Sequence, residues 1–339
     1  MKSSDHRGLP NFIFLYILIS IAGVTYVILN ISYTNKVAEF THQGYSLIHA
    51  NQTVAVEQGG QIVEVSVTAN NSNSTSNSTI SSSSSSERYK FIVFIITAPD
   101  HADHRAVLRE KSWAGYNWKG KNGRPVEGWK YMFVVGRSES QKLMSRLEKE
   151  AEIYKDLIIA DNLDSYHNLV LKVLWILDHS LHNYDYDYLI KADDDTFINI
   201  QLLNEYVSRL KYKKLFYGGV KVVQSQVFRK GRYGVSKELW EPDVYSPYCS
   251  GSGYILGSDS VREMLRVYNT GVQPVFFVED AYMGALAYHS GIIKPEHING
   301  FYWHQKYGCS DKNALLMHYV KLEMLENFMN RYIQGKSYC

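Results

Sequence analysis

The sequence predicts an α/β protein: a Rossmann-like sheet of parallel strands, a mixed second half, and one apolar helix well ahead of both. Three observations carry this. Apolar runs of strand length at 89–98, 129–135, 156–160 and 186–192 alternate with helical stretches at 101–113, 139–154 and 164–181. That alternation is the order in which crossover helices join parallel strands. A Ser/Asn-rich segment closing on Ser81 to Ser86 separates the alternation from everything N-terminal to it, and an apolar stretch from Phe12 to Ile31 precedes that segment.

In chain order, residues 1–11 form a short polar tail. The run 12–31 is about the ~20 residues a bilayer core requires. Lys2 and Arg7 precede it and Lys36 follows, so the positive-inside bias puts the amino terminus in the cytoplasm. No Ala-x-Ala-type cleavage site follows, which predicts an uncleaved signal anchor. Residues 32–88 have the composition of a stem that cannot bury enough apolar surface to fold. Glycosylation sequons begin at Asn51, Asn70, Asn73 and Asn77, with one more at Asn30 beside the apolar run, and none follows Asn77. The carboxyl side is therefore expected in the secretory lumen, as a single-pass type II protein.

The folded domain is expected over 89–339. Its helix at 164–181 carries a dense apolar stripe through Leu169, Val173, Ile176 and Leu177, which predicts packing against the sheet. Beyond residue 200 the pattern is mixed, with strands at Leu215 to Val220 and Tyr254 to Leu256, a Gly/Arg/Lys-rich hairpin near Phe228 to Val235, and a strand at Val275 to Val278. The cysteines Cys249, Cys309 and Cys339 allow one disulfide and one free thiol, and their spacing fits no zinc motif. A net charge of +2 excludes a nucleic-acid-scale basic field and an acidic solvating tail.

The chemically committed stretch is Tyr188 to Asn199, where an apolar strand runs into Asp193, Asp194 and Asp195. Acidic triplets are most often solvated loops. Here the preceding apolar residues put the triplet at the carboxyl end of a core strand, where α/β sheets hold their ligand crevice. Three carboxylates there repel one another unless a cation intervenes. Oxygen ligands suit Mg²⁺ or Mn²⁺, which complete their shells with water and phosphates, so the motif points to a nucleotide-diphosphate site. A calcium EF-loop is excluded, because the alternating ligand spacing, central Gly and closing Glu are missing.

Five ordered blocks resemble the animal β-1,3-galactosyltransferase family, which includes β-1,3-N-acetylglucosaminyltransferases and is related to the Fringe enzymes. They are His104 to Trp113, Asp164 to Lys172, Lys191 to Asn199, Tyr245 to Tyr254 and Val278 to Gly284. The resemblance implies a Golgi membrane enzyme with a GT-A catalytic domain. It implies transfer of a sugar from a UDP-sugar, with UDP-galactose favoured, to a glycan acceptor, with inversion and with Mn²⁺. UDP-GlcNAc, UDP-GalNAc and an inactive lectin-like or chaperone-like relative stay open, as does a membrane-anchored nucleotide phosphohydrolase.

By the same resemblance Asp195 ligates the metal, with His318 as the histidine ligand and His304 as its alternative. Asp193 and Asp194 position the nucleotide or hold Asp195. Asp280 is the catalytic base, with Glu279, on the acceptor side, as runner-up; the bland alternative is a carboxylate capping a helix over Ala281 to His289. Arg105 and Arg109 share a helical face at i and i+4 and are expected to meet the donor phosphates, with Lys172 as a further point charge. Gly251 and Gly253 are expected in a turn approaching the sugars, and Tyr248 to stack on a sugar ring. Ala114, Ser246, Ala281 and Met283 depart from the family pattern, and none is a proposed ligand or base.

Overall fold

The computed structural model describes residues 87–211 and 213–339 in full, together with the backbone of four short strands before them. Residues 1–82 and 83–339 are separate units. In the first, β1 (Tyr16–Ile21) pairs antiparallel with β2 (Val24–Leu29), and β3 (Thr53–Gln58) with β4 (Gln61–Ser66). The helix expected over 12–31 is thus replaced by strands at 16–21 and 24–29, and among the described residues no helix is long and apolar enough to cross a membrane. Apolar length does not choose between helix and strand, and this run is rich in β-branched and aromatic residues that favour strands. Part of the expected stem, 53–66, likewise carries paired strands. The rest of 12–31, the tail, and the stem's Asn51, Asn70, Asn73 and Asn77 lie outside the described residues.

The second unit opens with the predicted alternation. It runs β5 (Arg88–Ile96), α1 (Ala102–Glu110), β6 (Trp129–Arg137), α2 (Gln141–Tyr154), β7 (Leu157–Leu163), α3 (Leu169–Asn183) and β8 (Asp185–Asp193). Then come β9 (Phe197–Ile198), α4 (Ile200–Arg209), β10 (Tyr217–Val222), β11 (Tyr248–Gly257), α5 (Ser258–Thr270) and α6 (Glu279–Ser290). The chain closes with β12 (Glu296–His297), β13 (Phe301–Tyr302), α7 (Gln305–Gly308), β14 (Leu316–Met317) and α8 (Leu322–Ile333).

The central sheet has the order β12-β10-β11-β8-β5-β6-β7. The pairs among β5, β6, β7 and β8 are parallel, while β11 runs antiparallel to both β8 and β10. The sheet is therefore mixed, as predicted. Phe91 to Ile95 are fully buried because both faces of β5 are covered, the condition under which a strand reads as an unbroken apolar run. One core lies against α3, α5 and α6, and the other against α1, α4 and α8.

Three local expectations are corrected. Phe228 to Val235 is a turn closed by the Val235 N–H on the Phe228 carbonyl at 2.8 Å, with no flanking strands. Its order comes from Arg229, whose guanidinium donates to the carbonyls of Val235, Trp240, Glu241 and Pro242. Val275 to Val278 is not a strand: it follows Pro274, which has no N–H to give a ladder, and ends at the N-cap of α6. Gly251 and Gly253 lie inside β11, not in a turn. Gly253 has φ +149°, and a Cβ there would stand 2.6 Å from Leu316 Cδ1, so the position needs a bare backbone.

A small sheet, β13-β14-β9, joins the C-terminal segment to the residues just after the acid triplet. Met317 pairs with Phe197 in it, and the Val320 N–H donates to the Asp195 carbonyl at 2.9 Å. Of the three possible disulfides the structure has Cys309–Cys339, and Cys249 is a buried free thiol. The bridge closes a 30-residue separation. Cross-links of this length contribute about 2–4 kcal/mol, chiefly by restricting the unfolded chain. Cys339→Ala should lower the unfolding free energy of the 83–339 unit by about 2–4 kcal/mol, read as a lower urea midpoint, with a steeper transition because the unfolded chain is no longer cross-linked.

Candidate active site

The site is organised by β8. Side chains two apart on a strand share a face, so Lys191 and Asp193 point the same way. Lys191 Nζ donates to Asp193 Oδ1 at 2.7 Å and to the Gly251 carbonyl at 2.5 Å, and stands 3.9 Å from Glu279 Oε2. The neighbouring strand puts Tyr254 in register with Lys191, and the Tyr254 hydroxyl donates to Glu279 Oε1 at 2.6 Å. One buried ammonium thus ties together β8, β11 and the first turn of α6.

The electrostatics follow from this grouping. Burial would lower the Lys191 pKa, but Asp193 and Glu279 raise it, so the amine stays charged. Burial pushes Asp193 up, yet Lys191 and His318 overcome that and bring it down to about 2. Glu279 goes the other way. Its burial outweighs the attraction of Lys191, and its pKa rises to about 7. Burial also raises Asp280, opposed by the N–H groups of Gly251, on Oδ2 at 2.9 Å, and Ala281, on Oδ1 at 2.8 Å. Asp280 therefore stands in the first turn of a helix, as the bland alternative had it, and also faces a cleft.

The acid triplet divides. Asp193 and Asp195 face His318, whose Nε2 lies 3.3 Å from Asp193 Oδ2 and 3.1 Å from Asp195 Oδ1. Burial would lower the His318 pKa, but the hydrogen bonds to the two carboxylates raise it to about 9. These three side chains form a group able to hold a metal ion. Two features fit a hard divalent ion: Asp195 Oδ1 is buried without a well-aligned hydrogen bond, and His318 Nδ1 lies 3.2 Å from the Trp303 carbonyl, which fixes Nε2 toward the carboxylates. His304 is not in the group; its Nδ1 accepts from the Lys306 N–H. Asp194 is turned elsewhere, accepting from the Thr97 hydroxyl at 2.6 Å and bonded to His101 Nδ1 at 2.8 Å.

The basic residues expected at the phosphates are already engaged. Arg105 is buried, makes a two-point pair with Glu150 at 2.8 Å, and donates to Thr97 Oγ1 and the Ala98 carbonyl. Arg109 makes a similar pair with Asp156 and also reaches Glu150. Lys172 Nζ is bound to Asp164 Oδ2 at 2.6 Å and to the Thr97 carbonyl. None of the three offers a free cation. Arg105 and Lys172 instead secure the segment Thr97–Pro99 behind Asp194, and Arg109 ties α1 to Glu150 and Asp156.

A cleft of about 360 Å³ opens over this group and is lined by Asp193, Gly251, Glu279, Asp280 and His318. Its aromatic faces come from Tyr166, Phe277, Trp303 and Tyr319. Tyr248 is not among them. Its hydroxyl is 3.2 Å from Ser225 Oγ, its ring packs edge-on against Tyr245, and it lies so close to α6 that a Cβ on Gly284 would stand 2.5 Å from Tyr248 Cβ. The residues missed in the sequence are Lys191, Tyr254, His101 and Trp303. A lysine two positions before a carboxylate in an otherwise apolar strand was the available signal for the first.

An α/β domain with a mixed sheet and a carboxylate–imidazole group at a strand end is the class the geometry defines. The chain belongs to the galactosyltransferase family, whose profile matches residues 103–298. It is similar to β-1,3-galactosyltransferase 1 of Mus musculus, 27% identical over 250 residues covering 70% of this chain and 72% of that one. It is also similar to a hydroxyproline O-galactosyltransferase of Arabidopsis thaliana, 25% identical over 252 residues. There the match covers 74% of this chain but only 36% of the plant protein. Overlap with mouse xyloside xylosyltransferase 1 has a TM-score of 0.35 at 11% identity, over 68% of this chain and 97% of that one, and carries no argument.

Glu279 makes the pH response testable. Between about 4.5 and 7 the unfolded chain has an ionised Glu279 while the folded one keeps it protonated. The folded state then binds more protons, so this contribution to stability falls as pH rises through that window. Asp193, held at about 2, acts at lower pH, and His318, raised to about 9, contributes stability that is lost only as pH climbs above its unfolded value toward 9. Denaturant unfolding of the metal-free protein should show a shallower decline from pH 4.5 to 7 for Glu279→Gln than for the parent.

Proposed function

We propose that the protein transfers galactose from UDP-galactose to a glycan hydroxyl, forming a β-1,3 linkage with inversion, as a metal-dependent GT-A enzyme. The observation that carries this reading is one cleft lined both by Asp280 and by Asp193 and His318, two members of a group able to hold a cation with Asp195. Family membership and the likeness to a β-1,3-galactosyltransferase support the choice of donor.

In this reading Asp195 and His318, with Asp193, would hold Mn²⁺, which when bound would neutralise the diphosphate and stabilise the charge on departing UDP. The protein's own part is positioning and proton removal. Asp280 takes the proton from the acceptor hydroxyl as that oxygen attacks the anomeric carbon. Its two backbone N–H donors fix the carboxylate, and its partial burial keeps it basic. Glu279 is tied to Tyr254 and nearly closed from solvent, which suits holding Lys191 better than meeting an acceptor. The aromatic residues around the opening give apolar faces for sugar rings.

Asp280→Asn keeps shape and hydrogen-bonding capacity while losing basicity. Turnover should fall by roughly 10² to 10⁴, the scale of general-base catalysis, with UDP and Mn²⁺ binding nearly intact by calorimetry. Asp195→Asn and His318→Ala should do the reverse first, weakening Mn²⁺-dependent UDP binding. A near-parental transfer rate in a folded Asp280→Asn protein would remove Asp280 from the base role. UDP release measured with galactose, GlcNAc and GalNAc donors over β-galactosyl and GlcNAc acceptors selects the sugar, and binding without release on every acceptor points to a lectin-like relative.

The same reading includes a Golgi membrane setting with a lumenal domain, supported by the apolar run 12–31 and the sequons that follow it. Glycosidase treatment of protein made in animal cells should lower its apparent mass, and replacing Asn51, Asn70, Asn73 and Asn77 together should abolish that shift.

A further inference from the structure

Among the described residues two groups of side chains could hold a metal ion, and Asp193, Asp195 and His318 are one of them. The second comprises His101, His104 and Asp194, with ligand atoms all within 4.8 Å of one another. His101 is the N-cap of α1 and His104 lies in its first turn, so a three-residue spacing puts both imidazoles on one helix face, edge to face with ring centroids 4.4 Å apart. His101 Nδ1 is 2.8 Å and His104 Nδ1 4.0 Å from the same Asp194 Oδ2.

We propose that His101, His104 and Asp194 form a second metal site, selective for a borderline ion such as Zn²⁺ over Mn²⁺. The donor set decides the selectivity: two imidazoles and one carboxylate suit zinc, whereas two carboxylates and one imidazole at Asp193, Asp195 and His318 lean toward the harder ion. Ligands about 2.0–2.1 Å from a tetrahedral zinc stand roughly 3.3 Å apart. The observed 2.8 and 4.0 Å bracket that separation, so modest ring rotations close the site.

Two further features support a ligand here. His104 Nδ1 is buried yet has no hydrogen bond, a polar atom aimed at Asp194 with its lone pair or proton unused. A separate cavity of about 280 Å³, bounded by these three residues, Asp195 and the segment 319–322, leaves room for water or an added ligand to complete the shell. The outer partners are also present. Asp194 accepts from the Thr97 hydroxyl, and Arg105 donates to Thr97 Oγ1 at 3.2 Å, which orients the carboxylate from behind. Zinc bound there joins the start of α1 to the residue that follows β8.

The test uses the full chain in detergent, freed of metal and then incubated with zinc chloride in excess Mg²⁺. After desalting, elemental analysis should find zinc lost in His104→Ala and in His101→Ala but retained in His318→Ala, with affinity in the first two reduced more than tenfold. Co²⁺ in place of zinc gives a visible spectrum that reports imidazole ligation, and it should collapse in the same two variants; circular dichroism establishes that each is folded. Zinc retained in folded His104→Ala and lost in His318→Ala would overturn the proposal, since the ion would then belong to the Asp193–Asp195 group. So would a parent protein that keeps no stoichiometric zinc.

Discussion

A lysine ammonium held out of water is the constraint on which this structure turns. Taking Lys191 into the sheet is costly unless opposite charge and hydrogen-bond acceptors meet it, and Asp193, Glu279 and the Gly251 carbonyl do so from three different segments. Each of those partners also faces the cleft. Gly251 runs beside the same groups, with its N–H on Asp280 Oδ2 and its carbonyl on the Lys191 ammonium. The charge balance of the core and the shape of the site are therefore set by the same few atoms. Asp193 owes its low pKa, and Glu279 part of the limit on its raised one, to a residue that need not touch a substrate.

Much of the architecture was legible because it rests on local periodicity. The four parallel strands and the helices between them leave runs of apolar residues whose lengths and spacing report both element type and order. The acid triplet at the end of β8 was legible for the same reason. What was not legible depends on partners remote in sequence. Arg105, Arg109 and Lys172 read as cations available to phosphate, since nothing near them reveals that Glu150, Asp156 and Asp164 arrive to neutralise them. Tyr248 and Tyr166 are alike as letters, and only the direction of β11 against α6 turns one away while the other reaches the cleft.

The division of the triplet was hidden by a subtler cause. Consecutive residues leaving a strand need not share a direction, so three adjacent aspartates can serve two neighbourhoods. Asp193 and Asp195 meet His318, and Asp194 meets Thr97 and His101. A string of identical letters carries no mark of this. The choice of His318 over His304 was likewise decided by pairing, because β14 lies beside β9 and delivers the residue that follows it to the residue that precedes Thr196.

That small three-stranded sheet makes the metal group a junction between early and late parts of the chain. Asp193 and Asp195 belong to the alternating strand-helix half, whereas His318 lies past residue 298, where the family match stops. The matched stretch of this chain therefore holds the two carboxylates, and the imidazole comes from the segment after it. A chain cut short of residue 318 would keep the central sheet and both carboxylates yet lack the imidazole, so it is the seating of β14 beside β9 that brings the three side chains together.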